Sequence, residues 1–88
     1  MRNIVFTPSA FEDYMYWQSQ DKKTLKSVNM LIADILRNGN EGIGKPEALT
    51  GKYSGFWSRR IDEKNRLIYT IQADTVIIIA CRTHYGDK

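Results

Sequence analysis

Phe56-Trp57-Ser58-Arg59-Arg60-Ile61, Arg66-Leu67-Ile68-Tyr69-Thr70-Ile71 and Thr75-Val76-Ile77-Ile78-Ile79-Ala80-Cys81-Arg82 follow one another through the second half of the chain. Each run is rich in β-branched and aromatic residues. Only Asp62-Glu63-Lys64-Asn65 and Gln72-Ala73-Asp74 separate them, and polar connections of that length read as turns. Short turns join antiparallel neighbours, so the stretch predicts a three-strand meander over 56–61, 66–71 and 75 to about 82. The unbroken apolar run from Val76 to Cys81 marks the last of these as a central strand buried on both faces.

Upstream, Arg2 to Phe6 predicts a short strand. Thr7-Pro8 then reads as a helix start, with Thr at the N-cap and Pro at the first helical position. Ser9-x-x-Glu12 is a second candidate capping box. The helix is expected to run to about Gln20, with Ala10, Phe11, Tyr14, Met15 and Trp17 as its apolar stripe. Asp21 is a candidate cap for a second helix over 22–37. There Leu25, Val28, Ile32, Ile35 and Leu36 recur at spacings of three and four, and Asn38-Gly39 supplies the stop. Five of the six glycines, Gly39, Gly42, Gly44, Gly51 and Gly55, fall with Pro46 between 38 and 55. That segment is expected to be mostly loop, and a loop so long in so small a domain is often functional. The order is β-α-α-β-β-β. It implies a single α+β domain over 1–88, an antiparallel sheet with a helix hairpin packed on one face.

The chain has 88 residues and a net charge of +3. It has no apolar run long enough to span a bilayer, so no membrane partner is expected. The start leads straight into strand-like sequence without a signal peptide. The single cysteine, Cys81, suits a reducing, cytoplasmic setting; in an apolar run it reads as core. The basic excess is densest where Lys52, Arg59, Arg60, Lys64 and Arg66 face only Asp62 and Glu63. Tyr53, Phe56 and Trp57 are interleaved there. Such a surface suits an RNA strand through phosphate attraction and base stacking, although an ordinary solvated strand face has the same composition.

Several chemistries are missing from the pattern. There is no Cys/His cluster for zinc and no paired carboxylates for two-metal catalysis. Gly42-Ile43-Gly44-Lys45-Pro46 lacks phosphate-loop spacing. No metal site and no cofactor are expected. What remains is a carboxylate, an arginine and a histidine: Glu47 behind the stiff Pro46, Arg66 opening a strand, and His84, the single histidine, just past the apolar strand. Strand alternation would point His84 the same way as Arg82. RNA carries its own nucleophile, the 2′-hydroxyl. A base, an acid and a cation are therefore enough to cleave it.

Five stretches make a family resemblance specific. They are Phe11-Glu12-Asp13-Tyr14-x-Tyr16-Trp17, Glu41-Gly42-Ile43-Gly44-Lys45-Pro46-Glu47, Ser54-Gly55-Phe56-Trp57-Ser58-Arg59-Arg60-Ile61, Arg66-Leu67-Ile68-Tyr69 and His84-Tyr85. In their order and over essentially the whole chain, they resemble the YoeB family of bacterial toxins within the larger RelE/ParE group. The resemblance implies a RelE-like, microbial-RNase-like fold. It implies a ribosome-dependent endoribonuclease that cuts messenger RNA in the decoding site. It also implies neutralisation by a YefM-type antitoxin, and chains that can form homodimers. By the same resemblance Glu47 is the general base, His84 the general acid, Arg66 the transition-state arginine, and Tyr85 the aromatic beside the histidine. Arg59 and Arg60 fall on the basic pair that meets phosphates. The chain departs from the pattern at Thr50, where a lysine is usual; that phosphate contact is either absent or supplied by Lys45 or Lys52. It departs again in extending past Tyr85 by Gly86-Asp87-Lys88. Alternatives within this reading are a ParE-like gyrase-directed toxin and a non-catalytic RNA-binding module.

Overall fold

The computed structural model describes residues 1–83. The elements are β1 (Asn3–Phe6), α1 (Pro8–Gln20), α2 (Lys22–Asn38), β2 (Glu47–Ala48), β3 (Trp57–Arg60), β4 (Arg66–Gln72) and β5 (Thr75–Thr83), with a 3-10 turn at Gly51–Tyr53. The five strands form one sheet in the order β1-β5-β4-β3-β2.

The helices start and stop where the local chemistry directs. Thr7 is the N-cap of α1, and its Oγ1 accepts from the Ala10 N–H at 3.2 Å. Ser9 therefore lies within the first turn and does not cap it. Asp21 serves both helices. Its N–H closes α1 on the Trp17 carbonyl, and its carboxylate accepts from the Thr24 N–H and hydroxyl. Those bonds hold the Asp21 carboxyl below its ordinary value. Gly39, at φ +71°, ends α2, a conformation that costs glycine little. Tyr14 Oη donates to Asn29 Oδ1 across the hairpin.

β3, β4 and β5 form the expected antiparallel meander. Two features differ from the sequence expectation. β1 joins the edge of β5 in parallel, from Asn3 opposite Thr75 to Phe6 opposite Ile78, so the sheet is mixed. The α1–α2 excursion between β1 and the meander is long enough to allow that direction. And the glycine-rich segment contains β2, with Glu47 opposite Ser58 and Ala48 opposite Trp57.

β5 is an interior strand, as its apolar run implies, but it is not buried on both faces as that run predicted, because the helices cover only one of them. Its helix-facing residues Val76, Ile78 and Cys81 are fully buried, while Ile77, Ile79 and Ala80 on the other side are only half-buried. The helices cover one face. The core there joins Ala10 and Trp17 of α1, Val28, Leu31, Ile32 and Ile35 of α2, and Leu67, Tyr69, Val76, Ile78 and Cys81 of the sheet. Burial pushes the Cys81 thiol up to about 12, with the Asp13 carboxylate adding to the shift. The thiol stays protonated and behaves as packing.

Inside this core lies one charge among the described residues. Arg59 is 0% exposed, and each of its five N–H donors has an acceptor. Nη1 donates to Asp34 Oδ2 and to the Ile43 carbonyl, both at 2.7 Å. Nη2 donates to the Gly39 carbonyl at 2.7 Å and the Glu41 carbonyl at 3.4 Å, and Nε to Tyr69 Oη. Asp34 also accepts from Asn38 and from the Ile43 N–H. One guanidinium thus fastens α2, the 39–43 loop and β4 together. Gly42 permits the close approach: a Cβ there would run into the Asp34 carboxylate.

The Arg59 hydrogen bond, chiefly, holds the Asp34 carboxyl below its ordinary value of 3.8, against the opposing effect of burial. A depressed folded-state pKa adds stability above the unfolded value, and the addition is lost as the pH falls through the folded one. Asp34→Ala is expected to cost about 3–5 kcal/mol in urea unfolding at pH 7, because it strands a buried cation. Asp34→Asn, which cannot ionise, should differ from wild type most above pH ~4 and progressively less below it.

Candidate functional site

The face of the sheet away from the helices carries the candidate residues, and strand register brings them together. Paired residues on neighbouring strands leave the sheet on the same side. One row crosses from Glu47 to Ser58 to Ile68 to Ala80. The next runs from Arg60 to Arg66 to Thr83. Arg66 reaches back toward the first row. Its Nη1 lies 3.4 Å from Ser58 Oγ and 3.7 Å from Glu47 Oε1. Ser58 is fully buried. The Arg66 side chain is 25% exposed and that of Glu47 60% exposed. The carboxylate therefore stands above a hydroxyl and beside a guanidinium, open to solvent.

Glu47 is held there by backbone. Arg60 N–H donates to the Gly44 carbonyl at 2.7 Å, and Leu49 N–H to the Phe56 carbonyl at 2.9 Å. These bonds extend the β2–β3 pairing on either side of Glu47. Lys45, at φ +52°, takes a left-handed conformation between them, uncommon for a residue with a Cβ.

Arg60 and Arg66 are direct cross-strand partners. Like charges in that relation destabilise a sheet. Among the described residues Arg60 has no ion pair, and the partner of Arg66 is the long Glu47 contact. Two cations sharing a face in this way favour an anion between them.

Not every candidate joins this group. Arg59 does not face outward to meet phosphate. It alternates with Arg60 and so points into the core, where its donors are consumed by Asp34, Tyr69 and three loop carbonyls. Lys45 is exposed two residues before Glu47. Lys52, also exposed, lies in the 3-10 turn with its Nζ 5.6 Å from the Tyr53 ring centre. Thr50 caps that turn by backbone alone. Arg82 packs its guanidinium on the Tyr16 ring of α1 at 3.8 Å, and the β4–β5 register shifts twice before Thr83. Strict alternation therefore does not carry from Ile78 to Thr83, and the expected relation of His84 to Arg82 falls outside the described residues, as do His84 and Tyr85 themselves.

Sequence reasoning missed two contributors. Ser58 could have been found, since it alternates with Arg60 on the open face. Asp34 gave no signal beyond its position within an amphipathic helix.

The model for the YoeB-like toxin of bacterial type II toxin-antitoxin systems matches residues 6–85. The chain belongs to the YoeB toxin family. Toxin YoeB of Escherichia coli is 48% identical over 82 residues, which is 93% of this chain and 98% of that protein. The YoeB dimer of Staphylococcus aureus, a solved structure, superposes with a TM-score of 0.89 at 49% identity, over 96% of this chain and 98% of that one. The YoeB/ParE toxin of Agrobacterium tumefaciens superposes at 0.92 with 38% identity, over 94% and 99%. A point mutant of YafQ from Escherichia coli, at 17% identity and a TM-score of 0.80 over 98% and 97% of the two chains, shares the fold. Within the YoeB family frame, the mixed sheet and two-helix cover are the shared scaffold, and the Glu47–Arg66 cluster lies on its open face.

An ion pair this long and this exposed contributes little to stability, about 0–1 kcal/mol. Glu47→Ala and Arg66→Ala are each expected to leave the unfolding free energy within about 0.5 kcal/mol of wild type by urea titration. A loss several times larger in either variant would mean that the pair holds the fold together.

Proposed function

We propose that this chain is the toxin of a type II toxin–antitoxin pair and acts as a ribosome-dependent endoribonuclease on messenger RNA. The observation that carries the reading is the meeting of Glu47 and Arg66 over Ser58 on an open sheet face, with Arg60 beside Arg66 in the ladder. A carboxylate next to a cation supplies the base and the charge stabilisation that phosphodiester cleavage through the 2′-hydroxyl uses, and His84 is proposed as the acid.

In the proposed step the Glu47 carboxylate takes the 2′-hydroxyl proton. The 2′-oxygen attacks phosphorus and the bond to the 5′-oxygen breaks. His84 gives its proton to that departing oxygen, and the upstream fragment is left with a 2′,3′-cyclic phosphate. Arg66 stabilises the charge that accumulates on the non-bridging oxygens. Arg60 holds the neighbouring phosphate, with Lys45 or Lys52 as a further contact along the strand. The protein residues fill the base, acid and electrostatic roles, so the step needs no metal and no cofactor. Ribosome and message complete the site.

The partner that silences this activity is proposed to be a YefM-type antitoxin. Its covering segment should be acidic and apolar, to match a basic face. Staphylococcus aureus YoeB is found as a heterotetrameric complex with YefM and as a dimer, and a homodimer is proposed here too. No helix among the described residues is long and apolar enough to cross a membrane, and the cytoplasm is the compartment where ribosomes and message would be met.

The test is primer extension on message in a purified translation system. New 5′ ends should appear with the wild-type protein and only when ribosomes are present. Glu47→Ala and His84→Gln should each slow cleavage by ~10²–10⁴-fold with ribosome binding largely kept. Near wild-type rates in both variants would refute the role assignment. DNA damage without new message ends would point instead to a gyrase-directed toxin.

A further inference from the structure

The far end of β5 is built in an unusual way. From Gln72 opposite Thr75 to Tyr69 opposite Ile78 the β4–β5 ladder keeps one register. Ile68 then faces Ala80, and Arg66 faces Thr83. Each shift adds one residue to β5 that β4 does not match, the mark of a bulge. Had the first register continued, Cys81 would face Arg66 and Thr83 would face Lys64 in the turn. The two bulges draw the strand back, so that Thr83 ends opposite the candidate arginine.

Bulges leave backbone groups without ladder partners, and here α1 takes them up. Asp13 Oδ2 accepts from the Cys81 N–H at 3.0 Å. Trp17 Nε1–H donates to the Cys81 carbonyl at 2.7 Å. The Cys81 thiol sits 3.7 Å from the Ala10 carbonyl, and Tyr16 stacks on Arg82. Ala10, Asp13 and Trp17 recur at spacings of three and four, so one helix face makes these contacts. An unpaired backbone group at a buried position is costly. The two side chains therefore favour the bulged register over the continuous one.

We propose that Asp13 and Trp17 are positioning residues of the candidate site, clamping the doubly bulged end of β5 so that Thr83 lies opposite Arg66. The proposal deepens the cleavage reading and rests on it: His84 follows Thr83 by one peptide bond, and the clamp fixes where that bond starts. Neither residue touches substrate in this account.

Three variants separate positioning from general stability. Trp17→Phe keeps an aromatic six-membered ring and loses the Nε1–H together with the pyrrole half of the indole. Asp13→Ala loses the acceptor, whereas Asp13→Asn keeps an oxygen that can accept. In the ribosome-programmed cleavage assay, Trp17→Phe and Asp13→Ala should lower kcat by about 10- to 100-fold, the scale on which misplacements of roughly 1 Å act. KM should stay within about threefold in both, because the residues act through geometry. Asp13→Asn should recover most of the rate. Independently of activity, nuclear Overhauser contacts between the Arg66 and Thr83 backbones should weaken in Trp17→Phe and Asp13→Ala and persist in Asp13→Asn. Exchange of the Cys81 amide should speed up in Asp13→Ala. Should Asp13→Ala fail to fold, the isosteric Asp13→Asn and the milder truncation Trp17→Phe carry the test. Unchanged kcat with unchanged Arg66–Thr83 contacts in Trp17→Phe would overturn the proposal. A wild-type protein that does not cleave message would instead sink the functional reading, and the backbone contacts would still decide the register claim.

Discussion

A buried guanidinium organises this small domain. A lone charge in a core is heavily penalised, so Arg59 is tolerable only because Asp34 and four further acceptors surround it. Those acceptors come from α2, from three carbonyls of the 39–43 loop and from β4. A segment with few apolar anchors is thereby tied down at the point where it turns toward β2. The order that Glu47 needs is thus created by a residue facing the opposite side of the sheet. Division of labour between adjacent arginines follows from strand geometry: Arg59 points in and holds the loop, while Arg60 points out and stays available.

The site on the open face shows the opposite economy. Its carboxylate is solvated, its ion pair is long, and two guanidinium-bearing residues oppose each other in the ladder. None of this favours folding. Such an arrangement is understandable where an anionic ligand completes the electrostatics, which is how the proposed cleavage uses it. The stabilising terms lie elsewhere, in the apolar contact of both helices with Leu67, Tyr69, Val76 and Ile78.

The meander, the two helices and their caps were legible in the sequence because local signals specify them: turn-separated β-branched runs, a three-four apolar period, Thr7, Asp21 and Gly39. Glu47 and Arg66 as a pair were accessible through the family resemblance. Other features depend on long-range contacts. A two-residue strand after Pro46 is too short to show a period. The parallel docking of β1 has no local mark. Arg59 was assigned to phosphate with Arg60 through the family resemblance, yet the alternation of Trp57, Arg59 and Ile61 against Ser58 and Arg60 already set them on opposite faces. The bulges near Ala80 and Cys81 contain no glycine to betray them, and the side chains that satisfy them lie more than sixty positions earlier.

The central claim is that the message supplies its own nucleophile, with Glu47 and His84 moving the protons. Mass spectrometry of the upstream RNA fragment, released by the wild-type protein on programmed ribosomes, tests it most directly. The account predicts a 2′,3′-cyclic phosphate at the new end, or the 3′-phosphate it opens to, and no cut where the scissile nucleotide is 2′-deoxy. A free 3′-hydroxyl paired with a 5′-phosphate on the downstream fragment would show that water attacked the phosphorus, and would contradict it.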